Sequence, residues 1–262
     1  MNSLHNIIKI EQTGSTNEDL SRMASEGCET GTVLVADMQT QGKGRRGRTW
    51  YSPKGTSLSF SLLLRPEMNP EKASMITLLM AMAVYDALQP ILPEVKIKWP
   101  NDIVVSGKKV CGILTQMRMQ PCMPNADVKA GAYGIKDVIV GCGINVNQDF
   151  IPEELKELAT SLYIETGCEQ NRDGILTEVI KAFDAYFESF LQTGDLSFCK
   201  VAYNNRLINK DAAVKVLDPK GEYEGTALGI DESGNLLVED NNKELRTVYA
   251  GEVSVRGVYG YV

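Results

Sequence analysis

A glycine- and arginine-rich loop at residues 41–50 lies between two predicted strands, and this arrangement limits the folds open to the chain. The loop reads Gln-Gly-Lys-Gly-Arg-Arg-Gly-Arg-Thr-Trp, so four cations and three glycines share ten positions. The apolar run at 32–36 is typical of a buried strand, and the alternation at 58–62 predicts a second strand. Glycine lets the backbone approach a ligand, and arginine grips phosphate in a fork geometry. The loop is therefore suited to wrapping an anion.

The loop glycines also match the dinucleotide-binding pattern G-x-G-x-x-G at Gly42, Gly44 and Gly47. That motif functions where its glycines follow a strand and open a helix, with an acidic residue about 20 positions later. Here a strand precedes the glycines, but Trp50, Tyr51 and then an alternating strand follow them. The pattern therefore does not indicate a Rossmann-type nucleotide site.

The cationic loop is a local exception in an acidic chain. The 262 residues carry a net charge of −7, with 43% hydrophobic and 23% charged residues, which is typical of a globular protein of one or two domains. Nucleic-acid-binding surfaces are usually basic, so the whole surface does not fit that role. The N-terminus lacks the features of a signal peptide and no apolar run reaches membrane-spanning length. We expect a cytoplasmic protein without a membrane partner.

Cysteine and histidine usage excludes several kinds of chemistry. The six cysteines are scattered without a C-x-x-C pair, which indicates reduced structural thiols. The single histidine, His5, is predicted to be a surface residue. Catalytic triads, Cys-His dyads and multi-histidine metal sites all need better-placed imidazoles. Any chemistry must therefore use Lys, Arg, Asp, Glu or backbone groups, and we predict no metal held by the protein itself.

Secondary-structure signals change in character near residue 209. Before it, Ser15 begins a helix with capping-box spacing to Glu18, and Asn69-Pro70 opens a Met- and Ala-rich helix. The other elements predicted there are strands at 95–99, 103–105, 110–117 and 137–146, a polar loop at 120–135, and helices at 152–159, 171–193 and 197–206. After it come short strands joined by turns, at 212–217, 222–230, 236–239, 245–248 and 253–255. We predict a mixed α/β domain over 1–208 and a small β-barrel-like module over 209–262.

Three further segments carry groups suited to holding phosphate or nucleotide. The turn at 98–102 combines a cation, an amide and a carboxylate. The lysines at 108–109 enter an apolar strand, where a lysine can point into a cleft. The segment 141–147, Gly-Cys-Gly-Ile-Asn-Val-Asn, ends a strand with bare backbone and two amides. Each also has a plain structural interpretation: an Asn-Asp turn with an exposed lysine, two turn lysines in water, and a packed β-bulge.

The order and spacing of these segments resemble those of biotin protein ligases. That family carries a G-R-G-R-R-G-R-x-W loop, then K-W-P-N-D, K-x-x-G-I-L and G-x-G-I-N-x-N. This chain has matching residues at 42–50, 98–102, 109–114 and 141–147, preceded by Ser-Thr-Asn at 15–17 and followed by similar landmarks at 159–162 and 251–256. One departure is Lys43, which stands where the family usually has arginine and keeps the charge without the bidentate geometry.

The resemblance implies a fold and a reaction. The fold would be a mixed α/β catalytic domain related to class II aminoacyl-tRNA synthetase and lipoyl-ligase cores, followed by an SH3-like C-terminal barrel. The biotin carboxylate would attack the α-phosphate of Mg-ATP, giving biotinyl-5′-AMP and pyrophosphate. A lysine of a biotin carboxyl carrier domain would then take the biotinyl group. The implied cofactors are ATP and Mg²⁺, with biotin as substrate.

Partners also follow from the resemblance. The expected protein partner is the carrier domain of a biotin-dependent carboxylase, and the expected oligomeric state is monomer or homodimer. Some members carry an N-terminal winged helix that represses transcription. Because the Ser-Thr-Asn motif lies at 15–17, we expect no such domain and no sequence-specific DNA binding.

The resemblance also assigns residues. Two anions must meet in the first step, so cations must offset their repulsion. The expected catalytic residues are Lys109 between the two anions, Arg45, and Asp102, which would receive or orient the incoming amine. The residues expected to bind biotin are Ser15, Thr16, Asn17, Gln39, Lys43, Gly44, Arg45, Lys109 and Gly112. Those expected to bind nucleotide are Arg45, Arg48, Trp50, Lys98, Asn101 and Asn145.

Two alternatives remain at this point. A lipoate or octanoate ligase of the same superfamily would share the residues around Asn101, Asp102 and Lys109, but such enzymes usually lack the arginine-rich loop and the Trp-Pro pair. A non-enzymatic nucleic-acid-binding protein would use the loop to grip backbone phosphate. The net charge of −7 argues against the second alternative.

Overall fold

The computed structural model describes residues 5–121, 133–218, 221–250, 254–257 and 261. Its N-terminal part is a mixed seven-stranded sheet with helices, and its C-terminal part is a five-stranded antiparallel sheet. The mixed α/β fold and the small C-terminal β module predicted from the sequence are therefore confirmed. In these described ranges no helix is long and apolar enough to cross a membrane. Cys122 and part of the landmark at 251–256 lie outside them.

The large sheet has the order β1-β2-β3-β7-β6-β5-β4, in which β1 is parallel to β2 and the other neighbours are antiparallel. Its strands are β1 (Ile7–Thr13), β2 (Val33–Gln39), β3 (Ser57–Leu64), β4 (Lys96–Lys98), β5 (Asp102–Val105), β6 (Lys108–Pro121) and β7 (Tyr133–Asn145). The α-helices of the described residues are α1 (Thr16–Ser25), α2 (Ala73–Leu88), α3 (Leu162–Thr166), α4 (Arg172–Thr193) and α5 (Lys200–Arg206).

The small sheet has the order β11-β10-β9-β8-β12, and all its neighbouring strands are antiparallel. Its strands are β8 (Ala212–Leu217), β9 (Tyr223–Ile230), β10 (Leu236–Asp240), β11 (Leu245–Val248) and β12 (Ser254–Gly257). These bounds agree closely with the strands predicted after residue 209.

Helices cover both faces of the large sheet, so strand β3, which lies between β2 and β7, is buried along its whole length. On one face, α2 packs between the sheet and α4, which explains why α2 is apolar around most of its circumference. On the other face, Leu20 and Ala24 of α1 pack against Leu34, Leu63 and Ile139. The alternation of Leu62 and Leu63 on β3 places them in different clusters, as the period-two pattern of a strand requires.

The predicted helix at 152–159 is wrong. The structure has only a 3₁₀ turn at Glu153–Leu155, and the following residues pair with the start of β6. Lys109 N–H donates to the carbonyl of Leu158, and Thr160 N–H donates to the carbonyl of Lys109. These long-range backbone bonds replace the intrahelical ones, so tertiary pairing overrides a local helical tendency.

Two smaller expectations also differ from the structure. Ser15 is the N-cap of α1 but its side chain makes no capping hydrogen bond, and Glu18 pairs with Lys43 instead. The capping box is therefore not formed. Strand β1 is absent from the sequence prediction; it lies at the outer edge of the sheet, where its side chains are largely exposed.

The two sheets share one hydrophobic core, which includes Trp99 from the large sheet and Val214, Val216 and Leu236 from the small one. The Trp99 indole is only 2% exposed. Its Nε1–H donates to the carbonyl of Gly234 at 3.0 Å, and its backbone N–H donates to Asn209 Oδ1 at 2.9 Å. The turn that follows Trp99 is therefore held by the C-terminal part of the chain.

His5 is not the free surface residue expected from the sequence. Its ring is 9% exposed, with Nδ1 at 2.8 Å from the Gly31 carbonyl oxygen and Nε2 at 2.9 Å from both carboxylate oxygens of Asp184. Both ring nitrogens face acceptors, so only the imidazolium can donate to both. The hydrogen bond to Asp184 is the main cause that raises the pKa of His5 above its usual value of 6.5, against the opposing effect of burial.

This geometry predicts a pH-dependent contribution to stability. Because the folded-state pKa is raised, the contribution is complete below about pH 6.5 and is lost as pH rises through the folded-state pKa. We expect His5→Gln to lower the free energy of unfolding by about 1–2 kcal/mol at acidic pH and by less at alkaline pH. Urea unfolding at both pH values measures this, with the exposed Lys9→Gln as a control expected to cost less than about 0.5 kcal/mol. Equal losses at both pH values would contradict the assignment.

Candidate active site

Two adjoining cavities lie where the 41–50 loop meets strands β5, β6 and β7. The inner pocket is lined by residues 15–17, 39, 43–45, 50, 101, 109, 112–114 and 141–143. The outer pocket is lined by residues 44–46, 48–51, 98–102, 109, 145, 151–152, 155, 158–159, 255–256 and 261. The residues that line both are Gly44, Arg45, Trp50, Asn101 and Lys109. A molecule in one pocket would therefore meet a molecule in the other beside these shared side chains.

The 41–50 loop folds as a tight hairpin over this junction. Gly44 N–H donates to the carbonyl of Arg48 at 2.7 Å, and Trp50 N–H donates to the carbonyl of Gly42 at 2.8 Å. Arg46 at the tip adopts a left-handed conformation with φ of 58°. The hairpin aims its cations in different directions, so the four loop cations are not equivalent.

Arg45 connects the hairpin to the turn at 98–102. Its Nη1–H donates to Asn101 Oδ1 at 2.7 Å, and it lines both pockets. Burial lowers the pKa of Arg45, partly offset by the Asp102 carboxylate. Lys43, by contrast, is half-exposed and its ammonium pairs with Glu18 on α1. Lys43 therefore borders the inner pocket while tying the hairpin to α1.

The β4–β5 hairpin places Lys98 directly opposite Asp102. Lys98 is 4% exposed, and burial lowers its pKa to about 8, although the neighbouring Asp102 carboxylate favours the charged form. Asn101 at the turn donates from Nδ2 to the Ile113 carbonyl at 3.0 Å and to Asp102 Oδ1 at 3.1 Å. The plain interpretation of an exposed turn lysine is therefore wrong for Lys98.

A β-bulge aims Lys109 into the site. Asp102 pairs with Gly112, but the register between β5 and β6 then shifts, so that Val104 pairs with Lys109. Residues three apart on a regular strand face opposite sides, and the extra residue of a bulge reverses this parity. A Cβ on Gly112 would lie 2.8 Å from Lys109 Nζ, so the two residues do share a face. The ammonium thereby reaches the junction of the two pockets.

Asp102 receives two donors besides the Asn101 amide. Lys109 Nζ lies 2.6 Å from Asp102 Oδ1, and the Tyr261 hydroxyl donates to Asp102 Oδ2. Burial alone would raise the pKa of Asp102, but the Lys109 and Lys98 cations and these two hydrogen bonds outweigh it, and the pKa is lowered. Asp102 is therefore an anionic acceptor rather than a strong base at neutral pH.

The inner pocket ends in a network of uncharged polar groups. Thr16 donates to Gln39 Oε1 from its backbone N–H at 2.8 Å and from its hydroxyl at 3.1 Å. Ser61 Oγ lies 2.7 Å from Thr16 Oγ1 and 2.6 Å from Asn17 Oδ1. Asn17 Nδ2–H donates to Gln116 Oε1 at 2.8 Å. This end of the pocket offers hydroxyls and amides, which can both donate to and accept from a small polar group.

The Gly-Cys-Gly segment of β7 is a regular part of the sheet rather than a bulge. Its residues pair in unbroken register with β3 and with β6. Gly143 instead provides room for Trp50, because a Cβ there would lie 2.4 Å from Trp50 Nε1. Lys109 Nζ lies 5.3 Å from the Trp50 ring centroid, within cation–π range. The bare backbone thus lets the indole lie against the sheet beside Lys109.

The structure brings the predicted site residues together. Every residue expected to bind biotin lines the inner pocket, and every residue expected to bind nucleotide lines the outer pocket. Sequence reasoning missed Ser61, whose signal was a buried strand with serines at alternate positions. It also missed the outer-pocket wall formed by Ile151, Pro152 and Leu155, together with Tyr261. No sequence signal pointed to those residues.

Charge sets the chemistry of the outer pocket. Among the described residues, the lining contains one carboxylate, Asp102, and the following six cations: Arg45, Arg46, Arg48, Lys98, Lys109 and Arg256. In a chain of net charge −7, such a concentration favours a polyanion. Together with the polar inner pocket and the shared lysine, it defines an enzyme that brings two anionic reactants together.

Comparison with known proteins agrees with this class. Residues 9–124 match the biotin/lipoate A/B protein ligase family, and residues 212–256 match the biotin protein ligase C-terminal domain. The bifunctional ligase/repressor BirA of Bacillus subtilis is 34% identical over 92% of this chain and 71% of its own length. The biotin–[acetyl-CoA-carboxylase] ligase of Mycobacterium tuberculosis is 30% identical over 93% of this chain and 86% of its own length.

A solved structure gives the same result. Biotin protein ligase from Aquifex aeolicus, in complex with biotin and ATP, superposes with a TM-score of 0.79 at 33% identity, covering 96% of this chain and 99% of that one. The chain belongs to the biotin protein ligase family. The expected fold and enzyme class are thereby confirmed, so the alternative of a non-enzymatic protein is wrong.

Proposed function

We propose that the chain activates biotin with ATP to biotinyl-5′-AMP and transfers the biotinyl group to a lysine of a carrier domain. The observation that carries this proposal is Lys109, whose ammonium stands at the junction of a polar inner pocket and a cationic outer pocket. A carboxylate and a phosphate repel each other, and a fixed cation between them lowers the energy of the transition state. Lys109 supplies that cation.

The inner pocket takes biotin. The ureido group of biotin has two N–H donors and one carbonyl acceptor, and the network of Thr16, Asn17, Gln39 and Ser61 offers both kinds of partner. Bound with its ring at this end, biotin extends its carboxylate toward Lys109. The pocket thus orients the reactive end without needing a charged residue at the ring end.

The outer pocket takes ATP. Lys98, Arg48 and Arg256 line it beside Lys109 and balance phosphate charge, while Trp50 offers an aromatic face. Magnesium enters with ATP as part of the substrate, and the amide oxygen of Asn145 is an oxygen ligand of the kind that Mg²⁺ prefers. The amide of Asn145 is fixed by its Nδ2–H donating to the Thr160 carbonyl at 2.9 Å.

The second step uses Asp102. An incoming lysine amine needs an acceptor that fixes its direction of approach, and the anionic carboxylate lies 2.6 Å from Lys109, beside the reacting carbonyl. The relatives named for acetyl-CoA-carboxylase indicate the class of partner: a biotin carboxyl carrier domain of a carboxylase. Asp102 orients the lysine of that domain.

A direct test is incubation of the protein with ATP, Mg²⁺, biotin and a biotin carboxyl carrier domain, followed by mass analysis. The expected result is a carrier mass increased by one biotinyl group, with pyrophosphate release. A parallel reaction with lipoate in place of biotin tests the remaining alternative, since the N-terminal family model covers ligases of both acids. Transfer of lipoate in preference to biotin, or no transfer of either, would overturn the proposal.

The lowered pKa of Lys98 predicts a pH dependence of ATP use. Lys98 loses its charge as pH rises through about 8, and with it the attraction to phosphate. If only the charged form binds, kcat/KM for ATP falls about eightfold between about pH 7.5 and about pH 9. Lys98→Arg, whose guanidinium does not titrate in this range, removes the fall. Pyrophosphate release across this range measures both proteins, and an equal fall in the arginine variant would refute the assignment to Lys98.

A further inference from the structure

Tyr261 of the C-terminal part reaches into the catalytic cavity. Its hydroxyl donates to Asp102 Oδ2, and Lys98 Nζ lies 3.4 Å from its ring centroid. Tyr261 lines the outer pocket but not the inner one. The phenol therefore covers the two charged groups that stand opposite each other on β4 and β5.

The two oxygens of Asp102 have different partners, and only one of these partners can leave. Lys109 holds Oδ1, and its ammonium is needed at the pocket junction throughout the reaction. Asn101 Nδ2 also donates to Oδ1, so that oxygen already has two donors. Tyr261 holds Oδ2, and its ring contacts Lys98 in the outer pocket. An amine that binds Asp102 at Oδ2 takes the place of the Tyr261 hydroxyl, one N–H donor replacing one O–H donor.

We propose that Tyr261 is a specificity-determining residue that occupies the acceptor position on Asp102 until a carrier lysine displaces it. A carrier domain gains binding energy over its whole docking surface, which offsets the loss of the phenol contacts. A free small amine gains no such energy, so it does not displace the Tyr261 hydroxyl from Asp102 as readily. Tyr261 thus favours the docked lysine over other amines. This inference rests on the proposed function, in particular on the role of Asp102.

The step that Tyr261 controls is an acyl transfer. The lysine ammonium loses one proton to solvent, and its nitrogen lone pair attacks the carbonyl carbon of biotinyl-5′-AMP. The bond between that carbon and the phosphate oxygen breaks, and the electron pair leaves with AMP. The nitrogen loses its second proton as the amide forms. Tyr261 gives up only a hydrogen bond and undergoes no covalent change.

The test uses the full chain loaded with chemically prepared biotinyl-5′-AMP, with enzyme in excess so that a single turnover is followed. Two acceptors are compared, a biotin carboxyl carrier domain at saturating concentration and Nα-acetyl-lysine amide, with the rate of the enzyme-free reaction subtracted. For Tyr261→Phe we expect the rate with the small amine to rise about tenfold, as for the loss of one hydrogen bond to a charged group. The rate with the saturating carrier should change less than about twofold.

Two further variants sharpen the result. Tyr249→Phe removes a phenol from an exposed position of the same C-terminal part and should leave the ratio of the two rates unchanged. Tyr261→Leu removes the ring as well as the hydroxyl, and should raise the small-amine rate at least as far as Tyr261→Phe does. An unchanged small-amine rate, or an equal fall with both acceptors, would overturn the inference. Wild-type protein that fails to biotinylate the carrier at all would instead refute the proposed function.

Discussion

Replacement of Lys109 by alanine should reduce pyrophosphate release from biotin and ATP by about 10²–10³-fold, the range found when a single group that stabilises transition-state charge is removed. The reason is geometric: the bulge in β6 places this ammonium at the junction of the two pockets, where the proposed mechanism brings the carboxylate and the α-phosphate together. The measurement is the initial rate of pyrophosphate release at saturating biotin and ATP. Circular dichroism and thermal unfolding establish that the variant is folded.

Lys108→Ala is the matched control for this experiment. Lys108 precedes Lys109 on the same strand but lines neither pocket, so its removal should leave the rate within about twofold. Lys109→Arg keeps a positive charge beside Asp102. It therefore serves as a second control, which distinguishes a folding defect from a catalytic one. A Lys109→Ala variant that releases pyrophosphate within tenfold of the wild-type rate would show that the cation is supplied elsewhere.

Replacement of Arg45 by glycine should release the reactive adenylate before transfer. Arg45 lines both pockets and holds the 41–50 hairpin to Asn101 through a 2.7 Å hydrogen bond, so its loss removes a cation and opens the junction. Adenylation should continue, because Lys109 remains. We expect lysines of a bystander protein to become biotinylated at least about tenfold more than with wild type, as the loss of a charge-assisted hydrogen bond predicts. Mass mapping of the bystander protein measures this.

Arg46→Gly provides the control for loop flexibility. It removes a neighbouring cation and introduces the same residue, but Arg46 already has a left-handed backbone that glycine adopts without strain. We expect it to release much less adenylate. Rapid filtration measures how long the protein retains biotinyl-5′-AMP. We expect Arg45→Gly to shorten this retention time. Replacement of Tyr261 should instead change amine selectivity and leave the retention time unchanged. Absence of bystander labelling with Arg45→Gly would refute the retaining role.

The sequence predicted most of the elements, because helices and strands of regular periodicity depend on local patterns. Strand alternation and turn residues located β3, α4 and the strands of the small sheet. Motif resemblance assigned a set of residues that the structure brings together around the two pockets. Neither source could show how Lys109 reaches the junction, since the bulge that turns it is a property of pairing between two strands.

The features that escaped prediction all depend on contacts between distant segments. Residues 158–160 pair with the start of β6 instead of continuing a helix, because backbone bonds to Lys109 are available only in the folded chain. His5 meets Asp184 across 179 positions of sequence. Tyr261 meets Asp102 across 159 positions. Local periodicity contains no information about such pairs, so the contact of Tyr261 with Asp102 could be found only from the folded structure.

The hydrogen bonds of Trp99 to Gly234 and Asn209 give the small sheet a thermodynamic role in substrate binding. These hydrogen bonds hold the turn that carries Lys98 and Asn101 against the C-terminal part of the chain. Arg256, from the same part, also lines the outer pocket. Packing of the small sheet against the turn and binding of a ligand in the outer pocket are therefore coupled. The free energy of this coupling is the same in both directions. Whatever loosens the sheet weakens nucleotide binding, and bound nucleotide fastens the sheet by the same factor.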